Sequence, residues 1–210
     1  MGEGPVNFAR ILNRWSVRVG GLLIAASMTG CVSTGHFVDG SLKDVDAAQY
    51  KKTDPRHPVQ VLFDFQTKGS ENTGATAALK TRVVDQVAAS GIFSSVSDKP
   101  VDGNALLTIL VNNVPITDDA AAQGFATGLT LGLAGSQVTD GYICTARYTP
   151  PGVDQPITKE VRHAIHTTIG NHEPPKNAVQ TPNAEAAVTA MLHQSVSHLL
   201  NDVTQDPIFK

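Results

Sequence analysis

Val59, Val61, Phe63 and Phe65 alternate with mostly polar neighbours, and that period of two predicts a half-buried strand. The polar turn "TKGSENTG" leads into Ala75–Ser90, where Leu79, Val83, Val84 and Val87 fall on one helical face. Gly91 supplies the left-handed position that ends such a helix. Ile92–Val96 reads as a short strand, and "DKPVDGN" as a turn broken by Pro100 and Asp102-Gly103. In "ALLTILV" Leu107, Ile109 and Val111 share one face, while Leu106 and Leu110 flank Thr108 on the other. A run apolar on both faces suits a central strand whose second face needs cover from the insertion that follows or from a partner. Tyr142, Cys144, Ala146 and Tyr148 define another strand face, as do Ile157, Val161, His163, Ile165, Thr167 and Ile169, with "TPPGVDQP" as the connection between them. Thr181 before Pro182 suits a helix N-cap with proline at the first turn. Val188, Met191, Leu192, Val196, Leu199 and Val203 make the apolar stripe of the helix it opens.

The order is strand, helix, strand, strand, insertion, strand, strand, helix. Two helices on one face of a mixed or antiparallel sheet would bury these stripes, which makes the fold class α+β, a two-layer sandwich over residues 59–205. Residues 31–58 are polar and without a sustained period, and read as a tether leading to that domain.

The insertion holds "GFATGLTLGLAG" within 20 consecutive uncharged residues, Ala120–Thr139. That length would span a bilayer as a helix. Its composition opposes this: only Phe125, Leu129, Leu131, Leu133 and Val138 are strongly apolar, against two Gln, three Thr and one Ser. Four glycines would each cost a helix about 1 kcal/mol relative to alanine. Two readings stay open. Gly124, Gly128 and Gly132 permit close backbone approach in a packed helix or loop. Alternatively Gly124, Phe125, Gly128, Leu129, Leu131, Gly132 and Leu133 form a self-association or membrane-apposed element.

The N-terminus decides which solvent that element meets. Arg10, Arg14 and Arg18 precede the uncharged run "VGGLLIAASMTGC". A basic region, a short apolar region and small residues before a cleavage point describe a secretory signal peptide. The run is too short for a spanning helix, which needs about 20 residues. Met28-Thr29-Gly30-Cys31 resembles the lipobox of bacterial lipoproteins, in which small residues precede an invariant cysteine. The resemblance implies cleavage after Gly30 and lipid on the Cys31 thiol, leaving residues 1–30 as the signal peptide. A thiol is the most nucleophilic neutral side chain available for S-alkylation, and small residues give a peptidase access to it. Val32 follows, with no Asp there to imply inner-membrane retention, so the expected destination is the outer membrane. "GLTLGL" with "VTDGY", "VLFDFQTKGS", "SGIFSSV" and "RHAIHTTIG" also resemble phrases of small Gram-negative outer-membrane lipoproteins of uncharacterised function. That likeness implies an envelope location and no particular activity.

Removing residues 1–30 leaves 180 residues, enough for one domain, and takes the formal charge from −3 to −5. No basic excess exists to draw in nucleic acid. With Cys31 acylated, Cys144 has no partner within the chain; a disulfide scaffold is excluded, and a buried structural thiol is the reading.

Candidate chemistry is thin. His163, His166, His172 and Glu173 form the one metal-like constellation, but on a strand His163 and His166 point to opposite faces, and no regular zinc spacing is present. His193 and His198 stand five apart on the last helix, poor geometry for a shared ligand. Asp118-Asp119 and Asp140 flank the insertion as solvated carboxylates. Neither G-x-S-x-G nor a phosphate-cradling G-x-x-x-x-G-K-[ST] occurs. The expectation is therefore a non-enzymatic, periplasm-facing lipoprotein with no cofactor. It would bind a protein partner or itself as an accessory of an envelope assembly or transport system. A lipid or small apolar ligand held between sheet and helices is the alternative. A hydrolase or metal enzyme using the His163–Glu173 region comes third.

Overall fold

The computed structural model describes residues 33–116 and 136–209. Among them eight strands form one mixed sheet with two long helices on one face, the two-layer α+β arrangement expected. The strands are β1 (Thr34–Val38), β2 (Val59–Thr67), β3 (Ser70–Glu71), β4 (Val96–Ser97), β5 (Leu106–Pro115), β6 (Ser136–Thr149), β7 (Ile157–Ile169) and β8 (Val179–Thr181). The helices are α1 (Thr73–Ala89) and α2 (Ala184–Thr204). Across the sheet the order is β3-β2-β5-β6-β7-β1-β8, with β4 pairing β2. β2 is parallel to β4 and β5, and the other pairs are antiparallel. Parallel neighbours need a crossover, and α1 provides it between β2 and β5.

α1 forms from an alanine-rich, helix-favouring run and is capped by Asn72, whose Oδ1 accepts from Ala75 N at 3.0 Å. It ends before Gly91 at φ 65°, as its sequence position predicts. Val83 and Val87 are fully buried, with Leu79 and Val84 packed alongside. α2 lays Met191, Leu192, Val196, Leu199 and Val203 on the sheet. Opposite them stand Val59, Val61, Phe63 and Phe65 of β2, Leu107, Ile109 and Val111 of β5, and Tyr142, Cys144, Ala146 and Tyr148 of β6, all buried.

Three expectations need correction. The segment read as a tether carries β1, which pairs with β7 on one side and β8 on the other. Its remainder docks on α2: His193 Nδ1 meets Asp44 Oδ1 at 2.6 Å, His198 Nε2 meets the Lys43 carbonyl at 2.7 Å, and Val45 N donates to Ser197 Oγ at 3.1 Å. Polarity without period concealed it, because backbone and polar contacts do much of the binding and the apolar contacts, from Val38, Leu42, Val45 and Tyr50, are widely spaced. The domain thus begins near Ser33, not Val59. In place of a strand over Ile92–Val96, Ile92 and Phe93 are buried in an irregular turn, and only Val96 and Ser97 pair with β2. Thr181 does not cap α2. Pro182 keeps the preceding residue extended, Thr181 ends β8 with its hydroxyl donating to the His36 carbonyl at 3.0 Å, and Asn183 caps instead through Ala186 N at 2.8 Å. β3 and β8, too short to show a period, complete the edges.

Candidate functional site

Cys31 and the stretch carrying Gly124, Phe125, Gly128, Leu129, Leu131, Gly132 and Leu133 lie outside the described residues. The structure does place the points where the chain leads to them. Ile169 of β7 pairs with Thr34 on one side and with Ser136 on the other. Gly170 N donates to Ser33 O at 2.9 Å, and Ser33 Oγ donates to Gly170 O at 3.1 Å. Ile116, the last described residue before the insertion, donates its N–H to Thr139 O at 3.1 Å. The two ends of the insertion and the residue two positions past Cys31 therefore share one rim of the sheet.

Ile116 is 63% exposed and folds over Gly141, where a Cβ would stand 2.9 Å from Ile116 Cγ1 and 3.0 Å from the Val114 carbonyl oxygen. Any larger residue there would have to push Ile116 aside. Ser33, Thr34, Ile116, Ser136, Gln137, Ile169, Gly170 and Asn171 carry no charge; Lys68, Asp140, His172 and Glu173 flank them.

The sheet face away from the helices has two characters. Leu62 is 37% exposed, and Leu106 and Leu110 are half-buried. Towards β1 the same face closes: His166 and Thr168 are buried, and the Phe37 ring lies across Gly35, where a Cβ would stand 2.7 Å from both that ring and Thr168 Oγ1.

His163 and His166 do project to opposite faces. His163 Nε2 meets Gln194 Oε1 of α2 at 2.7 Å, and its Nδ1 accepts from Ala164 N at 2.9 Å, which makes the ring the neutral Nε2–H tautomer. Burial pushes this imidazole below its ordinary range, against the opposing hydrogen bond to Gln194. His166 Nδ1 meets Thr139 Oγ1 at 3.0 Å, and its Nε2 stands 3.6 Å from Asp39 Oδ2, beyond hydrogen-bond length. Burial raises the Asp39 carboxyl, but hydrogen bonds from Ser41 and Asn177, with the His166 ring beyond them, outweigh it and hold the group below its usual value. His172 and Glu173 are exposed on the loop after β7. The four residues of the metal-like constellation are thus not brought together, and among the described residues no group of three His, Cys, Asp or Glu could hold a metal ion.

Sequence reasoning missed the partners of these histidines, Asp39, Thr139, Gln194 and Asp44, because each comes from a distant part of the chain. It also missed a recess of about 480 Å³ at the far end of the sheet, lined by Lys51, Lys52, Thr53, His57, Pro151 and Phe209. There His57 Nε2 meets Tyr148 Oη at 2.5 Å, and burial pushes the imidazole downward. Cys144 is fully buried, and burial pushes its thiol up to about 11, so it is held as a neutral, unreactive thiol. No described helix is long and apolar enough to cross a membrane.

No protein-family model matches the chain, and no curated protein matches it. Among solved structures it is similar to the PelC dodecamer from Paraburkholderia phytofirmans, at 11% identity over 82% of this chain and 97% of that one, with a TM-score of 0.33. A neuraminyllactose-binding hemagglutinin homolog from Helicobacter pylori shares 11% identity over 76% of this chain and 88% of its own, with a TM-score of 0.39. The rare lipoprotein B from Shewanella oneidensis shares 12% identity over 70% of this chain and 92% of its own, with a TM-score of 0.33. Likenesses this low carry no function from those proteins to this chain.

Proposed function

We propose that this chain is an envelope lipoprotein, held by lipid on Cys31 in the outer membrane with its α+β domain facing the periplasm. It works without catalysis, binding a protein partner or itself as an accessory of an envelope assembly or transport system. The observation that carries the reading is the arginine-flanked apolar run closing on Met28-Thr29-Gly30-Cys31. Two features support this reading. Leu62, Leu106 and Leu110 leave apolar surface on the face without helices. The half-buried His57 and the buried His163 and His166 each hold a side-chain contact within the fold, with Tyr148, Gln194 and Thr139 respectively, which gives them structural employment.

An apolar ligand between sheet and helices is the weaker reading. That layer is filled by Tyr148, Leu107, Ile109, Met191, Leu199 and Leu200, each fully buried, at the close packing of a protein interior.

Metabolic labelling with a radioactive fatty acid tests the anchor. Wild-type chain takes up label, and Cys31→Ala does not, leaving an unprocessed precursor or an unanchored product. Undiminished label in the variant rules out Cys31.

A further inference from the structure

The register of the sheet sets how far this domain stands from its anchor. Ser33 already exchanges two hydrogen bonds with Gly170, and β1 begins at the next residue. From Cys31 to Ser33 the chain spans two residues, which extended reach at most about 7 Å. On the reading that Cys31 is lipidated, no flexible tether intervenes, and the rim holding Ser33 lies within that reach of the acyl chains' attachment point.

The rest of the rim follows from strand spacing. Ile169 lies one strand from Thr34 and Ser136 lies two, about 10 Å away along the hydrogen-bonding direction. Ile116, bonded to Thr139 at the same end of β6, presents an exposed apolar side chain there. The sequence between Ile116 and Ser136 carries most of the uncharged run Ala120–Thr139, and both of those described residues stand at this end of the sheet. We infer that the rim formed by Ser33, Thr34, Ile116, Ser136 and Ile169–Asn171 is the face this domain presents to the bilayer, apposed directly to the lipid surface.

Three facts converge on a lipid surface rather than on water or a protein. The covalent distance is short, the rim residues are uncharged, and the one large side chain exposed among them is Ile116. The flanking charges are mainly acidic, Asp140 and Glu173 with Asp118 and Asp119 two and three positions past Ile116 in sequence, against Lys68, so the rim relies on the anchor's proximity and not on attraction to anionic headgroups. The recess lined by Lys51, Lys52 and Phe209 then faces away from the membrane, at the opposite end of a sheet whose β6 runs 14 residues, about 45 Å.

The test uses full-length lipidated protein in vesicles of phosphatidylethanolamine and phosphatidylglycerol containing a nitroxide-headgroup lipid as quencher. Ile116→Cys, His172→Cys and Asp154→Cys, each carrying an environment-sensitive fluorophore, report the rim twice and the far end once. The buried thiol of Cys144 stays unlabelled. Quenching at Ile116 and His172 should exceed that at Asp154 severalfold. Inserting about twenty glycine and serine residues between Val32 and Ser33, a span of roughly 25 Å, should bring all three sites to the same low level with acylation intact. Equal quenching at the three sites of an acylated protein without the insert overturns the orientation and leaves the lipoprotein reading standing. Absence of fatty-acid label on the wild-type chain overturns both.

Discussion

Adjacent residues of β5 meet two different environments. Ile109 is fully buried against the helices, while Leu110, pointing to the other face, is only half-buried, and Leu62 on the neighbouring strand is 37% exposed. Burying such a side chain completely is worth about 1.5–3 kcal/mol. The helix-covered face collects that energy at its large apolar positions, Val59, Val61, Phe63, Phe65, Leu107, Ile109, Val111 and Tyr148. The other face leaves part of it unclaimed at Leu62, Leu106 and Leu110. Apolar surface that does not hold the fold together is available to hold something else.

The widest contrast should be in reactivity. Cys144, on the helix-covered face, should resist a water-soluble maleimide by a factor of about 10³ or more relative to the unfolded chain, because modification must wait for opening of the core. Rapid labelling without denaturant would place the β6 side chains on the wrong face. In urea melts Ile109→Ala should lose about 2–5 kcal/mol, the range for deleting a large aliphatic core side chain. Leu110→Ala should lose clearly less, and equal losses would erase the distinction between the faces.

Gly128→Leu and Gly132→Leu ask what the insertion contributes. If those glycines allow close packing within the domain, added side-chain volume should cost about 1–3 kcal/mol, seen as a lower melting temperature in monomer and oligomer alike. If they serve self-association, melting is unchanged and light scattering reports lost oligomers. Wild-type behaviour in both assays dismisses both roles.

A smaller effect concerns pH. Burial depresses His163, so between its folded value and the ordinary 6.5 the unfolded chain binds more protons than the folded one. Stability is whole above about pH 6.5 and falls as the pH drops below it. His57 shifts in the same direction, so His163→Gln should flatten the slope of stability against pH only in part. The smallest change belongs to the open face: Leu62→Ser should alter stability by no more than about 0.5 kcal/mol, while weakening any partner that uses this surface.

What could be read from the chain follows the same division. Wherever an apolar stripe faces the core, periodicity identified it: β2, β5, β6, β7, both helices, and the inward set of β7 that places His163 against α2. Periodicity fails where a segment is held by polar and backbone contacts. Thr34–Val38 offers just one fully buried apolar side chain, Val38, and its membership of the sheet rests on hydrogen bonds to β7 and β8. Thr181 looked like a cap because a hydroxyl precedes a proline; its actual partner, the His36 carbonyl, lies 145 positions away. The opposed directions of His163 and His166 were legible because alternation along a strand is local. Asp39 and Thr139 beside His166 were not, since neither is near it in sequence.

The docking of residues 33–50 on the last helix also sets a timetable. His198 reaches Lys43 across 155 positions, and β1 sits between two strands that follow it by more than about a hundred residues. A polypeptide delivered N-terminus first cannot finish this docking while its final helix is still on the other side of a membrane. β1 would wait as an unpaired strand for β7 and β8, and loop-closure entropy over such separations makes that last pairing slow. An exported chain of this design needs either rapid release from the translocation channel or a companion that shields the waiting edge.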